Sequence, residues 1–459
     1  MKDYSEVTVE MINHYNRPGP RYTSYPTVPT WESGAFQNDY ADFLKREGER
    51  DMPLSLYVHI PFCSRLCTYC GCNQFITRNN DLVENYLDVL RNELQQTALH
   101  LGKRKLVKQL HLGGGTPTHL SVEQLRKLYR MIAEHFDFDP EGEMALEAHP
   151  RVTREDQLEA LYELGFRRIS LGVQDLDMKV QRAINRDQTL EQTSNTFSAA
   201  RKIGYSSINV DLVYGLPCQT VKTFQSTMET IDAMNPDRLA IYSFAYIPNM
   251  FQTHERAIKE ADLPSSEEKV ATYIASIRFF TQAGYHMIGM DHYAKASDEL
   301  ALAQKNKTLH RNFMGYTTLR GLSQIGVGVS AISDFGEGYF QNEKSLDAYM
   351  SGVQEGHVPT IRMKALDADD RLRREVIETL MCQCSLSLPA IEEKYELEFK
   401  KYFAPEWEAM QTFEEEGLVE LFSDRLNLTK LGTLFMRNVA MPFDRYLKQQ
   451  SRPHFSKTV

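Results

Sequence analysis

The sequence predicts an α/β protein: a partial (β/α)6 barrel with an N-terminal arm and a smaller, mostly helical C-terminal domain. Three observations carry this reading. Six short apolar runs rich in β-formers recur between residues 54 and 244, with a helix-like stretch between each pair. The first 50 residues are polar and punctuated by proline. Beyond about residue 365 the apolar spacing becomes helical.

Taken in order, RPGPRYTSYPTVPTW reads as an extended arm, followed by a short helix in AFQNDYADFLKRE. The strands are LSLYVHI (54–60), VKQLHL (107–112), MALEA (144–148), RRISLGV (167–173), SINVDLV (207–213) and RLAIYSF (238–244). Between the first two, DLVENYLDVLRNELQQTALHL puts Leu82, Tyr86, Leu90 and Leu94 on one helix face. SVEQLRKLYRMIAEHF opens with Ser121 at an N-cap and Glu123 beside it. TREDQLEALYELGF, TLEQTSNTFSAARKIG and TVKTFQSTMETIDAM complete the helices. Such alternation means βαβ units and a parallel sheet. An eight-fold barrel is the generic alternative, but only six strands are clear. YHMIGMDHY and LSQIGVGVSAI are candidates to extend or close one side.

The chain therefore divides into an arm and short helix expected to fold over the barrel mouth (1–50), a barrel with its extension (51–365) and a helical domain (366–459). The last carries a two-strand wing at LVELF…RLNLT. A winged helix can bind DNA, but Glu and Asp are dense here, so a packing or lid role is expected instead.

Composition narrows the function. Of 459 residues 42% are hydrophobic and 25% charged, which excludes a disordered or low-complexity chain. The net charge of −10 argues against broad nucleic-acid or membrane-surface binding. No apolar run reaches the roughly 18 residues a membrane helix needs, and MKDYSEVTVEMINHYN lacks a basic-then-apolar leader. The expected location is cytoplasmic, with no nucleic-acid or membrane partner.

Seven cysteines are too few and too uneven for a disulfide framework. Four of them, Cys63, Cys67, Cys70 and Cys72, follow the first strand in HIPFCSRLCTYCGCN. Three closely spaced thiolates on one loop can wrap one side of a cubane iron–sulfur cluster, leaving one iron open to a ligand. A structural zinc would need a second hook, and Cys382 and Cys384 are one residue apart in the other domain. A redox Cys67–Cys70 pair would leave Cys63 and Cys72 unexplained. Buried structural thiols are a third alternative, poorly matched to the neighbouring Gly, Asn and Arg.

LGGGTPT (112–118) follows the second strand. Its glycines let backbone approach a ligand and free N–H groups meet a carboxylate, unless they only make a tight turn. Glu147, Gln174 and Asp211 fall at the carboxyl ends of the third, fourth and fifth strands, the rim where parallel barrels bind ligands. A structural cap for the next loop is the other use of such a carboxylate. Arg186 by itself reads as a helix-face charge, and Tyr57 as barrel core.

The Cys-x3-Cys-x2-Cys spacing after the first strand resembles the radical S-adenosylmethionine (SAM) enzymes. With YVHIPFC before it and Cys72 in GCN after it, the segment resembles the HemN-type, oxygen-independent coproporphyrinogen III oxidases, or coproporphyrinogen dehydrogenases. Similar motifs run the length of the chain: GPRYTSYPT, LGGGTPT, LGVQD, NVDLVYGLP, GMDHYA, HRNF and GVGVSAIS.

The resemblance implies that Cys63, Cys67 and Cys70 hold a [4Fe–4S] cluster whose open iron takes the amino and carboxylate groups of SAM. It assigns Tyr57 and Tyr69 to the cluster and first SAM, and Gly114, Gly115 and Thr116 to the methionine part. Glu147 would serve the first SAM. Gln174, Arg186, Asp211, Ala245 and Ile332 would serve a second SAM. Tyr57 and Cys72 are the candidate catalytic residues. The chain has Met314 after HRNF where the family carries Gln, so a polar contact is lost if that position touches SAM.

The implied reaction converts two propionates of coproporphyrinogen III to vinyl groups through a 5′-deoxyadenosyl radical, giving protoporphyrinogen IX. It requires an unidentified electron donor and acceptor. A substrate with four carboxylates needs a locally basic pocket, and Arg17 and Arg21 on the arm are the candidates. A solvated tail is their bland alternative. Two other functions compete: a HemN-like protein that binds or delivers heme, and a DNA-binding regulator with an iron–sulfur sensor. Cys72, the arm and the C-terminal domain favour the enzyme. A monomer is the default expectation.

Overall fold

The computed structural model describes residues 4–247, 256–447 and 455–458. Six strands lie side by side in chain order and all parallel: β1 (Leu54–Ile60), β2 (Lys105–Gly114), β3 (Phe136–Ala148), β4 (Arg168–Gln174), β5 (Ser207–Tyr214) and β6 (Arg238–Ser243). Both expected extensions form. Beyond β6, β7 (Tyr285–Gly289) and β8 (His292–Lys295) add an antiparallel hairpin. Beyond β1, β9 (Ser323–Val327) adds a seventh parallel strand. It is followed by the antiparallel β10 (Ile332–Asp334), β11 (Gly338–Asn342) and β12 (Thr360–Ala365). The two extensions grow from opposite edges and do not pair, so the barrel stays open.

The largest strand-boundary shift from the sequence reading is at β3. β3 begins at Phe136 rather than at Met144, because Phe136–Phe138 pair with Lys105–Val107 and, after a register shift, pairing resumes with Glu143 opposite Gln109. The preceding helix accordingly stops at Ala133. Its start is as expected: Ser121 caps it, and Gln124 returns a hydrogen bond to the Ser121 N–H to close a capping box.

Helices cover the sheet's outer face: α3 (Asn80–Leu101), α4 (Val122–Ala133), α5 (Glu155–Glu163), α6 (Met178–Ala183), α7 (Leu190–Ile203), α8 (Val221–Met234) and α9 (Ser266–Gln282), with α1 (Val9–Tyr15) and α2 (Gln37–Glu49) in the arm. The buried stripe of α3 is Val83, Tyr86, Leu87, Leu90 and Leu94, an i, i+3, i+4 set from which Leu82 is rotated partly outward. β1 is buried along nearly its whole length, as expected of a central parallel strand.

The arm is anchored rather than solvated. Tyr22, Ser24 and Tyr25 are buried, and Trp31 stacks on Tyr339 with ring centres 5.0 Å apart. Arg437 donates to the carbonyls of Gly19 and Pro20, Arg311 to that of Arg21, and Asn438 to that of Tyr15. The far end of the chain joins it: the Thr458 N–H donates to the Arg17 carbonyl at 2.9 Å, and the Gly19 N–H to that of Ser456 at 3.1 Å. The C-terminal wing has a third strand, Ser385–Ser387, paired with Arg425–Leu428. Among the described residues no helix is long and apolar enough to cross a membrane.

Candidate active site

The carboxyl ends of β1 to β6 open into a cleft of about 490 Å³, and all four clustered cysteines line it. The loop that carries them is stapled at both ends. Phe62–Cys63 pairs with Phe75–Ile76, and the Thr77 N–H donates to the Cys63 carbonyl. Deeper in, Thr68 N–H reaches the Ile184 carbonyl and Asn185 Nδ2 the Leu66 carbonyl, which fixes the loop to the end of α6. Cys63 Sγ lies 3.3 Å from Thr116 Oγ1. The buried Arg186 guanidinium donates to Cys67 Sγ at 3.6 Å, to Tyr69 Oη at 3.2 Å and to the Gly172 carbonyl. Arg186 is therefore no helix-face charge; it is a buried cation holding the cysteine loop to β4.

Burial pushes the Cys63 thiol up to about 11 and also raises that of Cys67, which Arg186 opposes. A hydrogen bond from Cys72 draws Cys70 down to about 7. Thiols so desolvated favour a soft metal group that displaces their protons. Cys63, Cys67 and Cys70 fit a [4Fe–4S] cluster on that chemistry: free sulfurs facing one cavity, with a fixed positive charge beside them. Cys72 is exposed to the same cavity and hydrogen-bonded to Cys70.

The glycine segment lines the cleft, but its N–H groups are not free. Gly114 donates to Glu147 Oε2 at 3.1 Å, Gly115 to the Ile60 carbonyl at 2.8 Å, and Thr116 to the Phe62 carbonyl at 3.0 Å. The glycines are required by packing. A Cβ on Gly115 would stand 2.6 Å from the Pro61 carbonyl oxygen, and one on Gly114 2.6 Å from the His59 ring, at φ +115°. The segment thus buttresses the cysteine loop.

Three expected rim residues meet in the cleft. Glu147 Oε1 lies 3.5 Å from His111 Nε2. Burial alone would raise the Glu147 carboxyl, but the His111 ring and Gly114 N–H outweigh it and hold it below its ordinary value. Asp211 accepts hydrogen bonds from Ser170 Oγ and Asn209 Nδ2, each at 2.8 Å, and burial pushes its carboxyl up to about 6. Gln174 ends β4 in the left-handed region (φ +71°), which turns it to the cleft beside Arg186. Ala245 forms part of the wall after β6.

Other expected residues fall elsewhere. Ile332 lies on β10, beyond β9 at the opposite edge from β4–β6, and packs with Trp31, Tyr339 and Leu366 rather than lining the cleft. Met314 sits on a hairpin that lines a smaller cavity of about 110 Å³ with Gln109 and Arg168, and it is not among the residues that line the cleft. Tyr57 is set below the cleft wall: its hydroxyl bonds His59 Nδ1 at 3.0 Å and its ring stacks on His111. Arg21 pairs with Asp291 and faces a second cavity, next to the cleft. Arg17 is exposed and lines neither cavity.

His59, His111, Ser170 and Asn209 were not anticipated. Their signal was polar residues at alternate positions of otherwise apolar strands. Tyr57 is in register with His111, and Ser170 with Asn209, so the polar positions meet across the sheet.

Residues 57–231 match the family described as the Radical SAM superfamily, and residues 366–435 the HemN C-terminal domain. Oxygen-independent coproporphyrinogen III oxidase of Escherichia coli K12 is 43% identical over 451 residues, covering 98% of each chain. The enzyme of that name from Salmonella typhimurium is 42% identical over 450 residues with the same coverage. The solved structure of coproporphyrinogen III oxidase from Escherichia coli, described as a radical SAM enzyme, matches with a TM-score of 0.91 and 41% identity, covering 96% of this chain and 99% of that one. Likeness of this extent, over both matched domains, places the chain in the oxygen-independent coproporphyrinogen III oxidase family of the radical SAM superfamily.

Proposed function

We propose that this chain carries out the oxygen-independent oxidative decarboxylation of two propionates of coproporphyrinogen III to vinyl groups, giving protoporphyrinogen IX. The observation that carries the reading is the convergence of Cys63, Cys67 and Cys70 with Glu147, Arg186 and Asp211 in one cleft at the strand ends. When bound there, a [4Fe–4S] cluster and SAM supply the electron and the 5′-deoxyadenosyl radical that removes a hydrogen atom from the propionate β-carbon. Loss of CO₂ and one electron then leaves the vinyl group; an external donor and acceptor balance the electrons.

The protein's part is placement. Thr116 and Arg186 orient Cys63 and Cys67. Glu147 offers carboxylate oxygens to ribose hydroxyls. Gln174, Asp211 and Ala245 line the side of the cleft toward β4–β6 and suit a second SAM, with Arg186 between the two. Cys72 faces the same space as the reacting carbon must. Similarity over the whole chain, arm included, gives no support to the heme-delivery or DNA-binding alternatives.

The test is anaerobic turnover of reconstituted protein with coproporphyrinogen III, SAM and a chemical reductant. Protoporphyrin, measured after oxidation, and 5′-deoxyadenosine should rise together. SAM cleavage without any loss of propionate would overturn the substrate assignment.

A further inference from the structure

A second cavity of about 540 Å³ adjoins the cleft, and residues 243–245 and Ile247 line both, so this segment is the wall between them. The charged side chains lining the second cavity are Arg21, Lys269 and Lys457; no carboxylate lines it among the described residues. The chain as a whole carries a net charge of −10, so this is a local reversal of sign.

Among the described residues two arginines line the cleft, and both already have partners: Arg186 donates to Cys67, Tyr69 and the Gly172 carbonyl, and Arg65 to Asp187 at 2.7 Å. Two partnered cations do not match a substrate's four carboxylates, so some of these seat outside the cleft. Arg21 is half spent as well, since its guanidinium pairs with Asp291. Lys269 differs. Its Nζ gives one hydrogen bond to the Phe244 carbonyl at 2.7 Å and retains two donors. Its stem is fixed against Gly215, where a Cβ would meet Lys269 Cε at 2.9 Å, and its ammonium lies 5.8 Å from the Tyr214 ring centre. Burial, and repulsion from Lys457, lower Lys269 to about 8, a strain that an arriving carboxylate relieves.

We propose that this cavity seats a propionate carboxylate of the substrate while a neighbouring propionate reaches over the 243–247 wall into the cleft, and that Lys269 is the residue that receives it. The proposal rests on the function proposed above. Lys457 adds long-range attraction, and Arg21 contributes a third positive charge to the lining. The contact of Lys269 with Phe244 also ties carboxylate capture to the wall of the cleft.

The test uses reconstituted holoprotein and two probes, coproporphyrin III and its tetramethyl ester, followed by fluorescence quenching, with KM for coproporphyrinogen and SAM measured in parallel. Lys269→Gln should weaken coproporphyrin binding and raise its KM about tenfold, and Lys269→Arg should recover most of it. Ester binding, cluster iron and KM for SAM should hold. Lys457→Gln, on an exposed side chain that folding does not need, should cost about threefold and lose its effect at high salt. Unchanged coproporphyrin affinity in both Gln variants overturns the proposal. So does a loss of SAM affinity alone, which would make the cavity a SAM carboxylate site. Wild-type protein that binds no porphyrin and yields no product would instead overturn the proposed function.

Discussion

Asp211 is the rim carboxylate whose protonation the structure perturbs most plainly, and replacing it with Asn isolates that effect. Its oxygens are held by Ser170 and Asn209, and burial, with the charge of Glu147 added, pushes it from 3.8 up to about 6. A carboxyl whose pKa is higher in the folded than in the unfolded state binds its proton more tightly when folded. Folding stability therefore falls as pH rises from about 4 to 6 and levels off above about 7. Two pK units correspond to about 3 kcal/mol at the plateau. Asp211→Asn cannot ionise and keeps the shape, so without SAM it should be the more stable protein at neutral pH. About half the gap should be present at pH 5 and all of it above pH 7. Paired thermal unfolding scans from pH 5 to 8 at constant ionic strength read this as a Tm difference of several degrees that grows with pH. The same variant should bind SAM more weakly, because ribose hydroxyls lose an anionic acceptor. A Tm gap independent of pH, or one in which the variant is less stable at pH 8, would refute the burial argument.

Other predictions follow from the same geometry. Cys63→Ser, Cys67→Ser and Cys70→Ser should each abolish cluster loading, whereas Cys72→Ser should load iron and sulfide normally yet lose turnover; metal and sulfide analysis after anaerobic reconstitution separates them. Gly115→Ala should destabilise the protein by about 1–3 kcal/mol, since its Cβ would meet backbone at Pro61 and Phe62, and should reduce cluster retention in proportion. Arg186→Gln, which removes the buried positive charge beside Cys67, should shift the cluster's reduction midpoint negative in an anaerobic EPR titration, and Arg186→Lys should shift it less.

Much of this molecule was legible from its sequence because alternation of strands and helices at short spacing leaves few topologies open. The six parallel strands and the rim positions of Glu147, Gln174 and Asp211 followed from that periodicity and from the rule that ligands sit at strand carboxyl ends. What was not legible depends on partners distant in sequence. In FDFDPEGE the alternation lasts only four residues before Pro140 and Gly142 interrupt it, and the segment joins β3 only because Phe136–Phe138 pair with the start of β2. The glycines of LGGGTPT read as a ligand cradle until the neighbouring end of β1, with His59 and the Pro61 backbone, shows what their missing side chains make room for. Ile332 has the right composition for a binding wall, but β10 stands beyond β9 at the other edge. Lys269 carries no motif; only the fold brings it opposite Arg21 and Lys457.

The pairing of residues 15–19 with 456–458 couples two properties that a linear view of the chain would keep apart. Arg17 and Thr458 are 441 residues apart, yet they share hydrogen bonds beside the basic cavity. Thr458 also donates to the Tyr15 carbonyl, and its neighbour Lys457 lines that cavity. One proteolytic cut before residue 455 would therefore strip the arm of these donors and the cavity of a cation together.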